Sequence, residues 1–122
     1  MASPTKSLSS DHRMHSSTEF DSVFKAPSEK VHNTSFLVLA KTSIDSPGTL
    51  GLVVGKKNIP KAVARNQFKR IARESFRHHR TENIDFVVLA KRPPKTETKA
   101  MLRRALDEAF LKIAAAELSD DR

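Results

Sequence analysis

Residues 59–80, "IPKAVARNQFKRIARESFRHHR", constrain the fold more than any other stretch. Asn58 near the start and Pro60 in the first turn mark the entry to a long helix. On a wheel of about 100° per residue with Ala64 at zero, Phe68, Ile71, Ala72 and Ser75 fall between roughly −20° and 80°. Arg65, Asn66, Lys69, Arg70, Arg73, Arg77 and Arg80 fall between roughly 100° and 240°. A helix divided lengthwise in this way has to lay its apolar stripe on other structure and leave a row of cations outside.

The rest of the pattern supplies what the stripe would cover. "TSFLVLAK" (34–41), "TLGLVVG" (49–55) and "NIDFVVLAK" (83–91) read as strands. The first two are separated by a loop containing "DSPG" and are expected to pair antiparallel. "SSTEFDSVFKAP" reads as a short helix, with a capping-box pattern at Ser16 and Glu19 and Pro27 closing it; Phe20, Val23 and Phe24 share one face. From about Thr96 to Glu117, Met101, Leu102, Ala105, Leu106, Ala109, Phe110 and Ile113 recur at helical spacing. The expected fold is α+β: a single small domain over 16–118, with one mixed or antiparallel sheet packed with helices. The polar, Ser-rich residues 1–15 are expected to be disordered.

Composition limits the function classes. Cysteine is absent, which excludes disulfides and thiolate metal sites. The longest apolar runs are four or five residues, far below the roughly 20 that span a bilayer. Nothing near the start resembles a signal-peptide core, so a soluble, cytoplasmic protein is expected. The formal net charge is +8, and residues 51–80 account for all of it, with nine basic side chains against Glu74. Basic and acidic residues cancel in the segments on either side.

An outer helix face is ordinarily a solvated face, but a solvated face mixes its signs. Like charges at i,i+4 work against the helix, and only Glu74, four residues after Arg70, offers local relief. A polyanion neutralises such a row and gains from released counterions. A membrane surface would need apolar side chains free to insert, and here those are committed to the sheet. Nucleic acid fits better, and the Arg-rich row suits phosphate. Strands beside the basic helix fit poorly with a helix-turn-helix in a DNA groove. Single-stranded RNA suits a sheet with aromatics, and Phe20, Phe24 and Phe36 are either a stacking platform or ordinary core. A self-sufficient nuclease is disfavoured. His12 and His15 lie in the polar head, and the pair His78–His79 with Glu82 nearby sits at a helix end.

"GKKNIPKAVARNQFKRIARESFR" (55–77) strongly resembles the arginine-rich signature of the protein component of bacterial ribonuclease P. The order "EFDSVF" helix, strands, signature helix, "DFVVLAKRP" strand and terminal helix also matches, so the resemblance covers about residues 13–115. It implies a protein that assists a catalytic RNA in cutting the 5′ leader from precursor tRNA, monomeric within a ribonucleoprotein and with no membrane partner. Mg²⁺ would act through the RNA subunit, with no catalytic side chain and no cofactor supplied by the protein. By residue type, Lys56, Lys57, Arg65, Asn66, Lys69, Arg70, Arg73 and Arg77 match the RNA-binding signature. Phe20 and Phe24, with Phe36 and Leu39, match the leader-binding cleft. The resemblance also implies a left-handed βαβ crossover, against the usual right-handed rule. Two positions depart from the family pattern: Gln67 stands where a third signature residue is usually Arg, and Leu39 stands where an aromatic is common. The alternative that the residues leave open is a general RNA-binding or chaperone-like protein with no dedicated catalytic partner.

Overall fold

A computed structural model describes residues 17–44, 46–92 and 99–119. The polar head, the proposed Ser16 cap and the expected helix start at Thr96 lie outside them. In chain order the elements are α1 (Ser17–Lys25), β1 (Glu29–His32), β2 (Phe36–Thr42), β3 (Thr49–Val53), α2 (Ala62–His79), β4 (Ile84–Ala90) and α3 (Lys99–Ser119). They form a small α+β domain built on one mixed four-stranded sheet, as the sequence pattern predicts.

The strand order is β1-β2-β4-β3, which overturns the expected pairing of the strands at 34–41 and 49–55. β4 lies between them, antiparallel to β2 and parallel to β3. The reason is burial. β4 (IDFVVLA) is apolar towards both faces of the sheet, with Ile84, Phe86, Val87, Val88 and Ala90 all buried, and such a strand belongs in the centre. β3 carries Gly51 and a half-exposed Leu52 and suits an edge. A parallel β3–β4 pair needs a crossover, and α2 is that crossover. β1 went unread in the sequence because "EKVH" has one apolar residue, Val31, to set against the core.

Alternation along the strands separates two clusters. Phe36, Val38 and Ala40 of β2 and Ile84, Phe86, Val88 and Ala90 of β4 face the main core, together with Phe68, Ile71, Ala72 and Phe76 of α2 and Leu102, Leu106, Ala109, Phe110 and Ile113 of α3. Phe76, Phe86 and Phe110 meet edge to face with ring centroids 4.9–6.1 Å apart, joining α2, β4 and α3 at one point. The other face carries α1, where Val23 is buried on Leu39 and Val87 with Phe20, Leu37 and Leu89 around them. The domain is thus three-layered: α1, the sheet, then α2 with α3.

The connection from β2 to β3 steps across the end of β4 and is fastened to it. Ser46 Oγ and Thr49 Oγ1 both donate to Asp85 Oδ1, at 2.6 and 2.7 Å. Gly48 has φ +89°, and a Cβ there would sit 2.6 Å from the Thr81 carbonyl oxygen. Glycine is therefore required at this turn on two counts, conformation and space.

Candidate nucleic-acid interface

α2 begins at Ala62 rather than at residue 59. Asn58 is not a helix cap: its Nδ2 donates to the Ala90 carbonyl of β4 at 2.8 Å. Between them, Ile59 is 1% exposed and plugs the core. The helix has Lys61 at its N-cap position without a side-chain cap bond, and no acid in its first turn. Its end of positive potential is thus surrounded by cations instead of being neutralised.

The lengthwise division of α2 holds in three dimensions. Phe68, Ile71, Ala72 and Ser75 are buried as the wheel places them. Phe76 is buried as well and widens the apolar stripe to about 120° on the same wheel, up to the flank where Arg65 and Lys69 lie. Arg70 and Asn66 are exposed, and Lys69, Arg73 and Arg77 are half-buried along the outer side. Lys56 and Lys57 are exposed on the turn after β3. Arg65 is half-buried, and its Nη1 donates to the carbonyls of Ile59 (3.0 Å) and Pro60 (2.8 Å).

Glu74 does not relieve Arg70. It pairs with Arg103 of α3 (Nη1 to Oε1, 3.5 Å), because 280° on the wheel faces that helix. Arg103 Nε also donates to Asp107 Oδ1 at 2.9 Å. Asp107 further accepts from Ser75 Oγ at 2.5 Å and lies 3.2 Å from His79 Nε2. Burial pushes the Asp107 carboxyl up. The bonds from Ser75 and Arg103 and the charges of Arg103 and His79 outweigh it, so the group sits below its ordinary 3.8. A depressed carboxyl stabilises the fold above its unfolded value and loses that contribution as pH falls through the folded one. Asp107→Asn should therefore lower the melting temperature by a constant amount above about pH 5, with the gap to wild type closing below about pH 4; a thermal melt series across pH checks this. Ser, Asp and His meet here, but not as a nucleophile and its base. Ser75 is fully buried and donates to the carboxylate instead of the imidazole.

The expected cleft residues divide between the two faces of the sheet. Phe20 is half-buried beside Val23 on the α1 face, and Phe24 on the same helix is 39% exposed. Leu39 is on that face too, at 6% exposure beneath α1. Phe36 corrects the sequence reading: it is 0% exposed in the main core, on the opposite face. Residues of odd separation along a strand point to opposite faces, so Phe36 and Leu39 cannot line one surface. The uncovered part of the α1 face is instead the row Leu37–Leu89–Val53, set side by side by the strand register. Leu37 and Leu89 are half-buried and Val53 is 38% exposed. The alternation in "FLVLAK" places Leu37 on the same face as Leu39, a signal the sequence does carry. His32 of β1 continues this row at one side, and Lys91 and Arg92 follow β4 at its end, both exposed.

Among the described residues, no group of three His, Cys, Asp or Glu side chains gathers to hold a metal ion. None of the described helices is long and apolar enough to cross a membrane.

Residues 8–114 match the family model described as Ribonuclease P. The chain is 43% identical over 109 residues to the ribonuclease P protein component of Saccharophagus degradans, covering 88% of this chain and 81% of the relative. It is 39% identical over 108 residues to that of a Marinomonas species, covering 87% and 82%. The RNase P protein of Staphylococcus aureus superposes with a TM-score of 0.72 at 31% identity, over 84% of this chain and 94% of that one. The RNase P protein of Thermotoga maritima does so with a TM-score of 0.60 at 26% identity, over 84% and 94%.

Proposed function

The chain belongs to the ribonuclease P protein family, and from that premise we propose that it binds a ribonuclease P RNA and a precursor tRNA and assists removal of the 5′ leader. The observation that carries the proposal is the outer side of α2, a row of cations on a helix whose own single acid, Glu74, is drawn away to α3. Lys69, Arg70, Arg73 and Arg77, with Asn66 among them and Lys56 and Lys57 before them, meet the phosphates of the RNA subunit. The uncovered apolar row Leu37–Leu89–Val53, with Phe20 packed in the same cluster and Phe24 exposed on α1, takes the single-stranded leader. Phe24 offers a ring for a base, and Phe20 supports it from a half-buried position. Leu39 acts as the packing beneath α1 that sets its height above the sheet. The protein positions RNA and screens its charge, while Mg²⁺ and the hydrolytic step reside with the catalytic RNA.

Cleavage of a precursor tRNA by a bacterial ribonuclease P RNA, followed at low millimolar Mg²⁺ with and without the protein, tests the reading. Leader removal that depends on the protein is the expected result. RNA binding without any change in cleavage would replace the proposal with a general RNA chaperone.

A further inference from the structure

We propose that Arg65 and Asn58 are positioning residues that lock the Lys56–Lys57 turn against the end of β4, making with Arg92 a phosphate-binding corner distinct from the outer row of α2. The inference rests on the RNA-binding reading above and concerns how one part of that surface is built.

The residue type of Arg65 suggests a phosphate contact, but its geometry points inward. One guanidinium nitrogen is committed to two carbonyl oxygens, those of Ile59 and Pro60. These two residues close the turn that carries Lys56 and Lys57. The same turn is tightened by bonds from the Asn58 and Ile59 amides to the Gly55 carbonyl, at 3.2 and 2.9 Å. Ile59 anchors it in the core, and the Asn58 side chain fastens it to Ala90, the last residue of β4. Lys91 and Arg92 follow immediately. Lys91 Nζ donates to the Asn33 carbonyl at 2.9 Å, and the Arg92 amide to the Ser35 carbonyl at 3.4 Å, so the β4 end is fixed as well.

Two exposed lysines on a braced turn and an exposed arginine beside it form a concentrated positive corner. With its backbone ordered in advance, the turn loses less freedom on meeting a phosphodiester backbone than a loose loop would. The α2 amino end, which has no side-chain cap, opens in the same region and adds its own positive potential.

Affinity of the full-length protein for a bacterial ribonuclease P RNA, titrated across salt concentration, decides the matter. Arg92→Ala should flatten the salt dependence by about one ion. Arg65→Lys keeps the charge but ends one bond short of the position from which Nη1 meets both carbonyls. It should bind about five- to tenfold more weakly, and that loss should shrink below about twofold in a Lys56→Ala/Lys57→Ala background, because a brace matters only while it holds something. Asn58→Ala cuts the second tie without touching any cation and should show the same background dependence, even if Arg65→Lys folds poorly. Equal losses in both backgrounds, an Arg65→Lys protein that binds like wild type, or an unchanged salt slope for Arg92→Ala would each overturn the corner. Those outcomes would leave the RNA-binding reading standing, whereas a wild-type protein with no affinity for the RNA would remove both.

Discussion

Phe36→Ala should unfold the protein at a temperature about 12 °C or more below wild type. The ring is fully buried in the main core, where β2 lies under the helices. Truncating a buried phenylalanine costs about 3–5 kcal/mol in lost transfer energy and residual cavity. A small domain has only about 5–15 kcal/mol in total, and each kcal/mol moves its melting point by about 4–8 °C. The companion substitution, Phe24→Ala, should behave in the opposite way. With 39% of its surface exposed on α1, Phe24 contributes little to the core, and its removal should leave the melting temperature within a few degrees of wild type. Loss of one base-stacking ring should instead weaken binding of leader-bearing precursor by about tenfold relative to mature tRNA. Calorimetry and a pair of binding titrations check both. If Phe36→Ala melted like wild type and lost leader binding, the face assignment of β2 would be wrong.

The second large effect concerns the outer row of α2. Replacing Lys69, Arg70 and Arg77 together with Ala should flatten the dependence of log affinity on log salt by about three ions, one for each phosphate contact. At about 50 mM salt the affinity should fall on the order of several hundredfold, with the difference vanishing towards molar salt. Stability should move the other way. Lys69 and Arg77 each stand four residues from Arg73, and such like-charged pairs cost a few tenths of a kcal/mol apiece. Alanine is also the best helix former. The triple variant should therefore melt at or slightly above the wild-type temperature. A protein that binds less while folding as well or better holds its charge for a partner, not for its own structure. Unchanged affinity and slope would reduce the row to a solvated face.

The motif at 55–77 supplied the family, but it did not distinguish cations that face outward from one that faces in. Arg65 and Arg70 look alike in sequence, yet Arg70 is exposed and Arg65 is spent on two backbone carbonyls. The difference arises where α2 begins: Ile59 and Pro60 lie before Ala62, and their carbonyls are within reach of Arg65 but not of Arg70. Glu74 is a parallel case. Its spacing from Arg70 suggested a pair, and the arrival of Arg103 on α3 gave it a different one.

What the sequence determined by itself was local and periodic. The repeat near 3.6 residues set which side of α2 would be buried, and the composition of residues 51–80 set where the excess of positive charge lies. The alternation of two determined that Phe36 and Leu37 would point to opposite faces, although not which face would be the core. The tertiary structure decided that, along with the order of the strands. β4 took the centre because it buries side chains on both faces, and β3 was left at the edge, reached through α2. These outcomes depend on competition among distant segments for burial, and periodicity within one segment carries no information about its rivals.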